Sequence, residues 1–135
     1  MFIDTSAFIA ILAGEPVSAA LATAIEAAES RATSPLVRLE TCMRLATKLD
    51  VSPEDAEAAF DQAIADAAIE VVPITDAMGR EAVAAFSRFG KGRGHPAQLN
   101  LADCVVYACA KACQAPLLCA GSDFAKTDIP LAGRF

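Results

Sequence analysis

The chain has 135 residues, near the modal size of one domain, and 55% of them are hydrophobic. Alanine supplies 31 of these residues, and the larger apolar side chains still suffice for one core. The 21% charged fraction and the low glycine and proline counts exclude a disordered or fibrous chain. Without an apolar run long enough to span a membrane or a basic leader, we expect a cytoplasmic protein with a single domain over residues 1–135.

The formal net charge of −6 argues at first against a nucleic-acid ligand, because phosphate contacts need clustered Lys and Arg. That objection depends on where the acidic residues lie. The five cysteines contain no CxxC pair, and three of them fall in one apolar helical pattern. We therefore expect small buried hydrophobic side chains rather than disulfides or a zinc site.

Four short apolar runs predict the strands of a buried parallel sheet. They are Phe2 to Asp4, Arg31 to Pro35, Ile69 to Ile74 and Leu117 to Ala120. Each adjoins a helical pattern, and this alternation is typical of an α/β protein.

Six helices are predicted around these strands. The first is capped by Thr5 or Ser6 and ends near Gly14, the second opens at Pro16, and the third runs from about Leu36 to Leu49. The fourth is capped by Ser52, and the sixth covers Leu101 to about Cys113. The fifth extends from Thr75 to Gly90, with an apolar stripe of Met78, Ala82, Phe86 and Phe89. The sixth is apolar on nearly every side, so we expect it in the middle of the domain.

Four acidic residues stand where a solvated helix face does not explain them. Asp4 and Asp123 follow the first and fourth predicted strands, at the carboxyl ends where open α/β sheets place their ligands. Asp103 lies in the apolar segment LADCVVYACA. Glu40 shares a predicted core-facing stripe with leucine and methionine neighbours one turn away on either side.

Each acid also has a purely structural interpretation. Asp4 and Asp123 could be helix N-caps or turn residues. Asp103 could form a capping box with Asn100, and Glu40 could pair with Arg44 one turn further along its helix. These alternatives stay open for each residue taken alone.

Taken together, the four acids predict a metal site. The carboxyl ends of parallel strands and the starts of the following helices share one edge of a sheet, so these side chains should converge there. Crowded carboxylates repel one another, and a cation relieves that repulsion. Oxygen ligands without His or Cys suit Mg²⁺ or Mn²⁺.

The segment GKGRGHPAQLN leads into the predicted sixth helix and carries Lys91, Arg93 and the only histidine, His95. Its two cations could hold an RNA backbone, and His95 could contact RNA as well. A flexible surface connection explains the same composition equally well. An exposed histidine is weak support for general-base catalysis.

Four segments resemble, in order and spacing, the motifs of the PIN-domain family, especially its VapC-type toxin ribonucleases. They are MFIDTSAFIAIL, VRLETCMRL, GKGRGHPAQLNLADCVVYACAK and LLCAGSDFAKTDI. The resemblance covers Met1 to about Ile129. It departs from the family pattern at Ala102, where glycine is usual, at Ser122, where Asn or Asp is common, and in an extra glycine near His95.

The resemblance implies a three-layer α/β/α fold on a central parallel sheet and an endoribonuclease that depends on Mg²⁺ or Mn²⁺. It places the acidic quartet of the family, its catalytic and metal-binding residues, on Asp4, Glu40, Asp103 and Asp123. Asp4 and Asp103 are then the most direct metal ligands. Thr5, Ser6 and Thr127 are expected to support these carboxylates or hold water. A cognate VapB-type antitoxin and a homodimer are also implied, and the alanine-rich early helices could supply a flat helical interface or a groove for the antitoxin.

Two other functions remain open at this stage. A phospho-acceptor receiver domain has a similar length, but it needs paired acids after the first strand and an acceptor aspartate after a middle strand. Here the first strand is followed by Asp-Thr-Ser and the third strand ends without an acid. The second alternative is a catalytically silent PIN-like binding module, against which the presence of all four acids argues.

Overall fold

Four short parallel strands form the centre of the fold in this computed structural model, which describes residues 1–133 and residue 135. They are β1 (Phe2–Ile3), β2 (Ala32–Thr33), β3 (Glu70–Val71) and β4 (Leu117–Leu118). The strand order is β3-β2-β1-β4, and all three pairings are parallel. The predicted parallel α/β class is confirmed, and each strand lies within its predicted run.

Helices flank this sheet as predicted. Those of the described residues are α1 (Thr5–Leu12), α2 (Ser18–Ala27), α3 (Pro35–Leu49), α4 (Pro53–Asp66), α5 (Asp76–Phe89), α6 (Leu101–Ala112) and a short 3-10 helix (Asp123–Lys126). The Ser52 side chain caps α4, as predicted, and the Thr75 side chain, at the predicted start of the fifth helix, caps α5. None of the described helices has the length and apolarity that crossing a bilayer requires.

Two predicted helix starts were wrong. The N-cap of α1 is Asp4, whose side chain accepts the Ser6 amide, so neither Thr5 nor Ser6 caps this helix. Helix α2 begins at Ser18, because Pro16 belongs to the turn that precedes it. The first correction matters for the site, because a cap has a fixed place relative to the helix.

The core surrounds β1 and β4, whose residues are fully buried. Phe2, Ile3, Leu117 and Leu118 each have 0% exposure, because helices cover both faces of a parallel sheet. Helix α5 packs mainly on α6, while α1 contacts α2, α3 and α4. The resulting α/β/α layers match the predicted fold class.

Helix α6 is central, as its composition predicted, but its first residue is not. Its side chains from Val106 to Ala110 are buried, whereas Leu101 is 77% exposed. The predicted stripe on α5 also fails at Phe86, which is 44% exposed and has the Arg93 guanidinium 5.8 Å from its ring centre. All five cysteines are free, and four of them are buried, which confirms their prediction as hydrophobic packing.

Candidate functional site

Asp4 connects the end of β1 to the start of α1. Its Oδ2 accepts hydrogen bonds from the Ser6 amide at 3.0 Å and from the Ser6 hydroxyl at 2.5 Å. The same Ser6 oxygen accepts the Ala120 amide at 3.0 Å, which ties the end of β4 to this corner. Burial raises the pKa of Asp4, against the opposing effect of the Ser6 bonds, and the charge of Glu40 adds to the rise. Asp4 is thus both a helix cap and a buried carboxylate at the predicted sheet edge.

Glu40 reaches the same corner from α3. The Thr5 hydroxyl donates a hydrogen bond to its Oε2 at 2.8 Å, and Arg44 lies 3.8 Å from its Oε1. The predicted ion pair with Arg44 is therefore present beside the contact with α1. The Thr5 contact holds the Glu40 carboxylate next to the residue that follows Asp4.

Glu40 does not share a core-facing stripe with Met43, contrary to the prediction, although its side chain reaches the corner at Asp4 as expected. Met43, on its supposed core stripe, is 62% exposed. The buried side of α3 instead consists of Val37, Thr41, Cys42 and Leu45. Glu40 lies at the boundary of that side, so the sequence periodicity placed the stripe on the wrong face.

Asp103 lies in the first turn of α6 and forms the capping box that its spacing allowed. Its Oδ2 accepts the Asn100 amide at 2.9 Å, and Asn100 Oδ1 accepts the Asp103 amide at 2.9 Å. The pKa of Asp103 is raised to about 6, mainly by burial and further by the charges of Asp4, Asp123 and Glu40, although the Asn100 bond lowers it. The four predicted acids therefore act on one another electrostatically.

Asp123 lies further along the chain from the end of its strand than predicted, because β4 ends at Leu118 rather than at Ala120. It begins the 3-10 helix five residues after β4 ends, and its side chain is exposed. The glycine at 121 turns the chain with a φ of +98°, a conformation that other residues rarely adopt. The N-cap of the 3-10 helix is Ser122, so the capping interpretation of Asp123 does not apply. Its carboxylate nevertheless raises the pKa of Asp103 and of the buried Cys119 thiol.

The donor chemistry at this edge fits a hard divalent cation. The converging side chains offer carboxylate oxygens, and a cation would offset the repulsion that contributes to the raised pKa of Asp103. Within residues 1–133 and 135, no three His, Cys, Asp or Glu side chains are close enough to chelate one ion. Mg²⁺ is commonly held by only one or two carboxylates together with waters and substrate phosphates, so a wider spacing suits it.

Thr5 and Ser6 contact the acids as expected, but Thr127 does not. The Thr127 hydroxyl donates to the Phe124 carbonyl at 2.8 Å and accepts the Ile129 amide at 3.3 Å. It stabilises the turn that follows the 3-10 helix. Its sequence motif placed it near Asp123 in the chain, but the local backbone engages its hydroxyl.

The basic segment after α5 is held at both ends. Gly90 and Leu99 form a bridge, and the Lys91 amide donates to the Leu99 carbonyl at 2.9 Å. Lys91 and Arg93 are exposed. His95 is half-buried rather than exposed: its Nδ1 accepts the Ala97 amide at 3.2 Å and its ring meets that of Phe89 edge-on.

One connection near the site was not predicted. Tyr107 on α6 and Arg88 on α5 both bind the carboxylate of Asp128, which follows the 3-10 helix. The only sequence signal was an acid in the segment TDI, and the partners lie 21 and 40 residues away along the chain. Tertiary structure alone brings them together.

Comparison with known proteins identifies the family. The PIN-domain family model matches residues 1–130. The chain is 41% identical over 129 residues to Ribonuclease VapC28 of Mycobacterium tuberculosis, covering 96% of this chain and 95% of that protein.

Two solved structures share the fold at lower identity. A toxin-antitoxin complex from Klebsiella pneumoniae is 19% identical, with a TM-score of 0.71, and the match covers 99% of this chain and 98% of that one. Mycobacterium tuberculosis VapC20, a Sarcin-Ricin loop cleaving toxin, is 18% identical, with a TM-score of 0.74 and 95% of both chains covered. The receiver-domain alternative is thereby set aside, and the chain belongs to the PIN-domain family, among the VapC ribonucleases.

Proposed function

We propose that this protein is the toxin of a VapBC-type toxin–antitoxin pair and an endoribonuclease that depends on Mg²⁺ or Mn²⁺. The observation that carries this proposal is that four carboxylates from four separate segments lie near one another. Asp4 and Asp103 are fixed at helix starts, and Thr5 holds Glu40 beside Asp4. Burial, and then the charges of the other three carboxylates, raise the pKa of Asp103 to about 6. Relatives named as VapC ribonucleases support RNA as the substrate.

The four carboxylates receive different roles in this proposal. Asp4 and Asp103 would hold the ion directly, because backbone hydrogen bonds fix both carboxylates at helix starts. Glu40 and Asp123 complete its surroundings or orient the attacking water. When bound, the ion increases the acidity of water and stabilises the charge that develops on a phosphodiester during in-line attack.

The hydroxyl groups beside the acids keep their carboxylates in place. Ser6 fixes Asp4 to the end of β4, and Thr5 holds Glu40 against α1. Lys91 and Arg93 bind the RNA backbone from their exposed loop and leave bond cleavage to the acids. The half-buried His95 lies in the same loop and would contact RNA beside them.

An antitoxin is the expected partner, and the early helices offer it a surface. An apolar groove of about 510 Å³ lies between α1, α2 and α4, lined by residues such as Ile11, Leu12 and Ala63. Arg31 and Asp66 line the same groove. A VapB-type peptide with an apolar face fits such a surface, in agreement with the predicted use of the alanine-rich helices.

A second copy of the chain is the expected partner of a different face. Val83, Phe86 and Leu101 are exposed and line one groove of about 460 Å³ between α5 and α6. Exposed apolar clusters of this kind are typical of protein interfaces. We therefore propose the homodimer contact on this face rather than on the early helices that the sequence suggested, and Val83→Ser with Leu101→Ser should shift sedimentation toward the monomer.

The enzymatic proposal is tested with purified protein and a defined RNA. Cleavage should require Mg²⁺ or Mn²⁺, stop with EDTA and disappear in Asp103→Asn. Glu54→Gln, an exposed acid on α4, is the matched control and should cleave normally. A protein that binds its antitoxin but neither cleaves RNA nor binds Mn²⁺ in a titration would be the silent binding module.

A further inference from the structure

The segment that carries Asp123 leaves the sheet and returns to it. It departs after β4 and comes back where the Leu117 amide donates to the Pro130 carbonyl at 2.8 Å. Between these points the described residues form no strand, and Ile129 is buried in the core beside the point of return. Ser6 binds the Ala120 amide near one end, and the Phe124 ring is buried in the core. The position of Asp123 therefore depends on side chains rather than on a strand ladder.

Asp128 supplies a further anchor for this segment. Its Oδ1 accepts the Tyr107 hydroxyl at 2.6 Å, and its Oδ2 accepts Arg88 Nη2 at 2.7 Å. These two donors hold the pKa of Asp128 below its usual range. The carboxylate thus stays charged, and both of its oxygens accept hydrogen bonds. Asp128 is not one of the four acids of the proposed site.

Tyr107 connects this anchor to the site. It lies four residues after Asp103 on α6, so the two side chains are neighbours on one side of the helix. The residue is 2% exposed, and the ring packs 5.7 Å from that of Phe89. The packing of its ring therefore fixes the position of its hydroxyl relative to the helix that carries Asp103.

We propose that Asp128 is a positioning residue, whose bond to Tyr107 sets the place of Asp123 relative to Asp103 and thereby the affinity of the site for a divalent cation. The inference rests on the proposed function. Arg88 strengthens the anchor from α5. The Arg88–Asp128 pair is half exposed on both sides, and such pairs contribute little to global stability. The main consequence of the anchor is therefore local.

The test combines three variants with a matched control. Tyr107→Phe removes only the hydroxyl, Asp128→Ala removes the acceptor, and Asp128→Asn keeps an oxygen that can accept from Tyr107. Glu81→Gln is the control, because it breaks an ion pair between α5 and α6 that does not involve Asp128, Glu81 with Lys111 at 2.6 Å. Each protein is titrated with Mn²⁺, and amide hydrogen exchange is measured over residues 120–129.

Tyr107→Phe and Asp128→Ala should weaken Mn²⁺ binding about tenfold, the low end of the range for residues that orient metal ligands. Exchange should accelerate over residues 123–127 and stay unchanged in α6. The Mn²⁺ affinity of Asp128→Asn should lie between that of these variants and that of the wild type, and the affinity of Glu81→Gln should equal that of the wild type. In an Asp123→Asn background, Tyr107→Phe should have no further effect on Mn²⁺ affinity.

Two results would overturn the positioning role while leaving the proposed function intact. One is wild-type Mn²⁺ affinity in both Tyr107→Phe and Asp128→Ala. The other is equal weakening in Glu81→Gln, which would indicate general loosening between α5 and α6. A wild-type protein that neither binds Mn²⁺ nor cleaves RNA would contradict the proposed function, and the positioning role with it.

Discussion

Asp103 and Asp123 lie at the same edge of the sheet but are held in different ways. Asp103 belongs to a reciprocal capping box at the start of a twelve-residue helix, whereas Asp123 begins a four-residue 3-10 helix. The first is half-buried and the second is exposed. Capping therefore does two things at once, because it satisfies the helix amides and fixes a carboxylate. Asp123 is not part of such a cap, and in our proposal the anchors of its segment hold it in place.

The largest expected effect of this difference is on RNA cleavage. Asp4→Asn and Asp103→Asn should each lower the cleavage rate by about 1,000-fold, comparable with the loss of one electrostatic group aimed at a reacting centre. Asp123→Asn should cost about 10- to 100-fold, as for a residue that supports metal ligands. Single-turnover rates at saturating RNA and Mn²⁺ measure all three. Equal losses in the three variants would contradict the ranking.

Cation binding should stabilise the folded protein. If Mn²⁺ binds only the folded state, a concentration 100 times its Kd should add about 2.7 kcal/mol to the free energy of unfolding. The Asp4→Asn, Asp103→Asn double variant should lose this gain, whereas Asp123→Asn should keep part of it. Thermal melts with and without Mn²⁺ are the measurement. The same rise in Tm for wild type and double variant would indicate general screening instead of a site.

Stability should depend on pH through Asp103. Its pKa is about 6 in the folded protein, against an ordinary value of 3.8, so the folded state binds more protons between these pH values. The free energy of unfolding should consequently fall as pH rises from 4 to 6. Asp103→Asn lacks this group, so its Tm advantage over the wild type should grow across that window in EDTA. A constant difference in Tm would count against the buried, repelled carboxylate.

The smallest effect on cleavage is expected from the basic loop with Lys91 and Arg93, because this loop precedes α6 and does not carry the proposed metal ligands. Lys91→Ala with Arg93→Ala should lower the slope of log affinity for single-stranded RNA against log salt by up to about 1.4, from roughly 0.7 per phosphate contact. The saturated single-turnover rate should stay close to that of the wild type. An unchanged slope together with a collapsed rate would instead place these side chains in the transition state.

Sequence patterns predicted the parallel sheet because buried strands and amphipathic helices have distinct periods. They also placed the capping box of Asp103 correctly, since caps depend on residues three apart. They failed for Glu40 and Phe86, whose orientation depends on which side of a helix its neighbours cover. Periodicity defines a stripe, but it does not say how far the core extends around the helix.

The sequence by itself determined the strand runs, the cap at Ser52 and the capping box of Asn100 with Asp103, because each of these depends on residues close together in the chain. Tertiary structure alone decided that Thr5 holds Glu40 across 35 residues and that Asp128 meets Tyr107 across 21. Such contacts follow from how helices pack on the sheet. That packing is set by the whole core, and no local pattern encodes it.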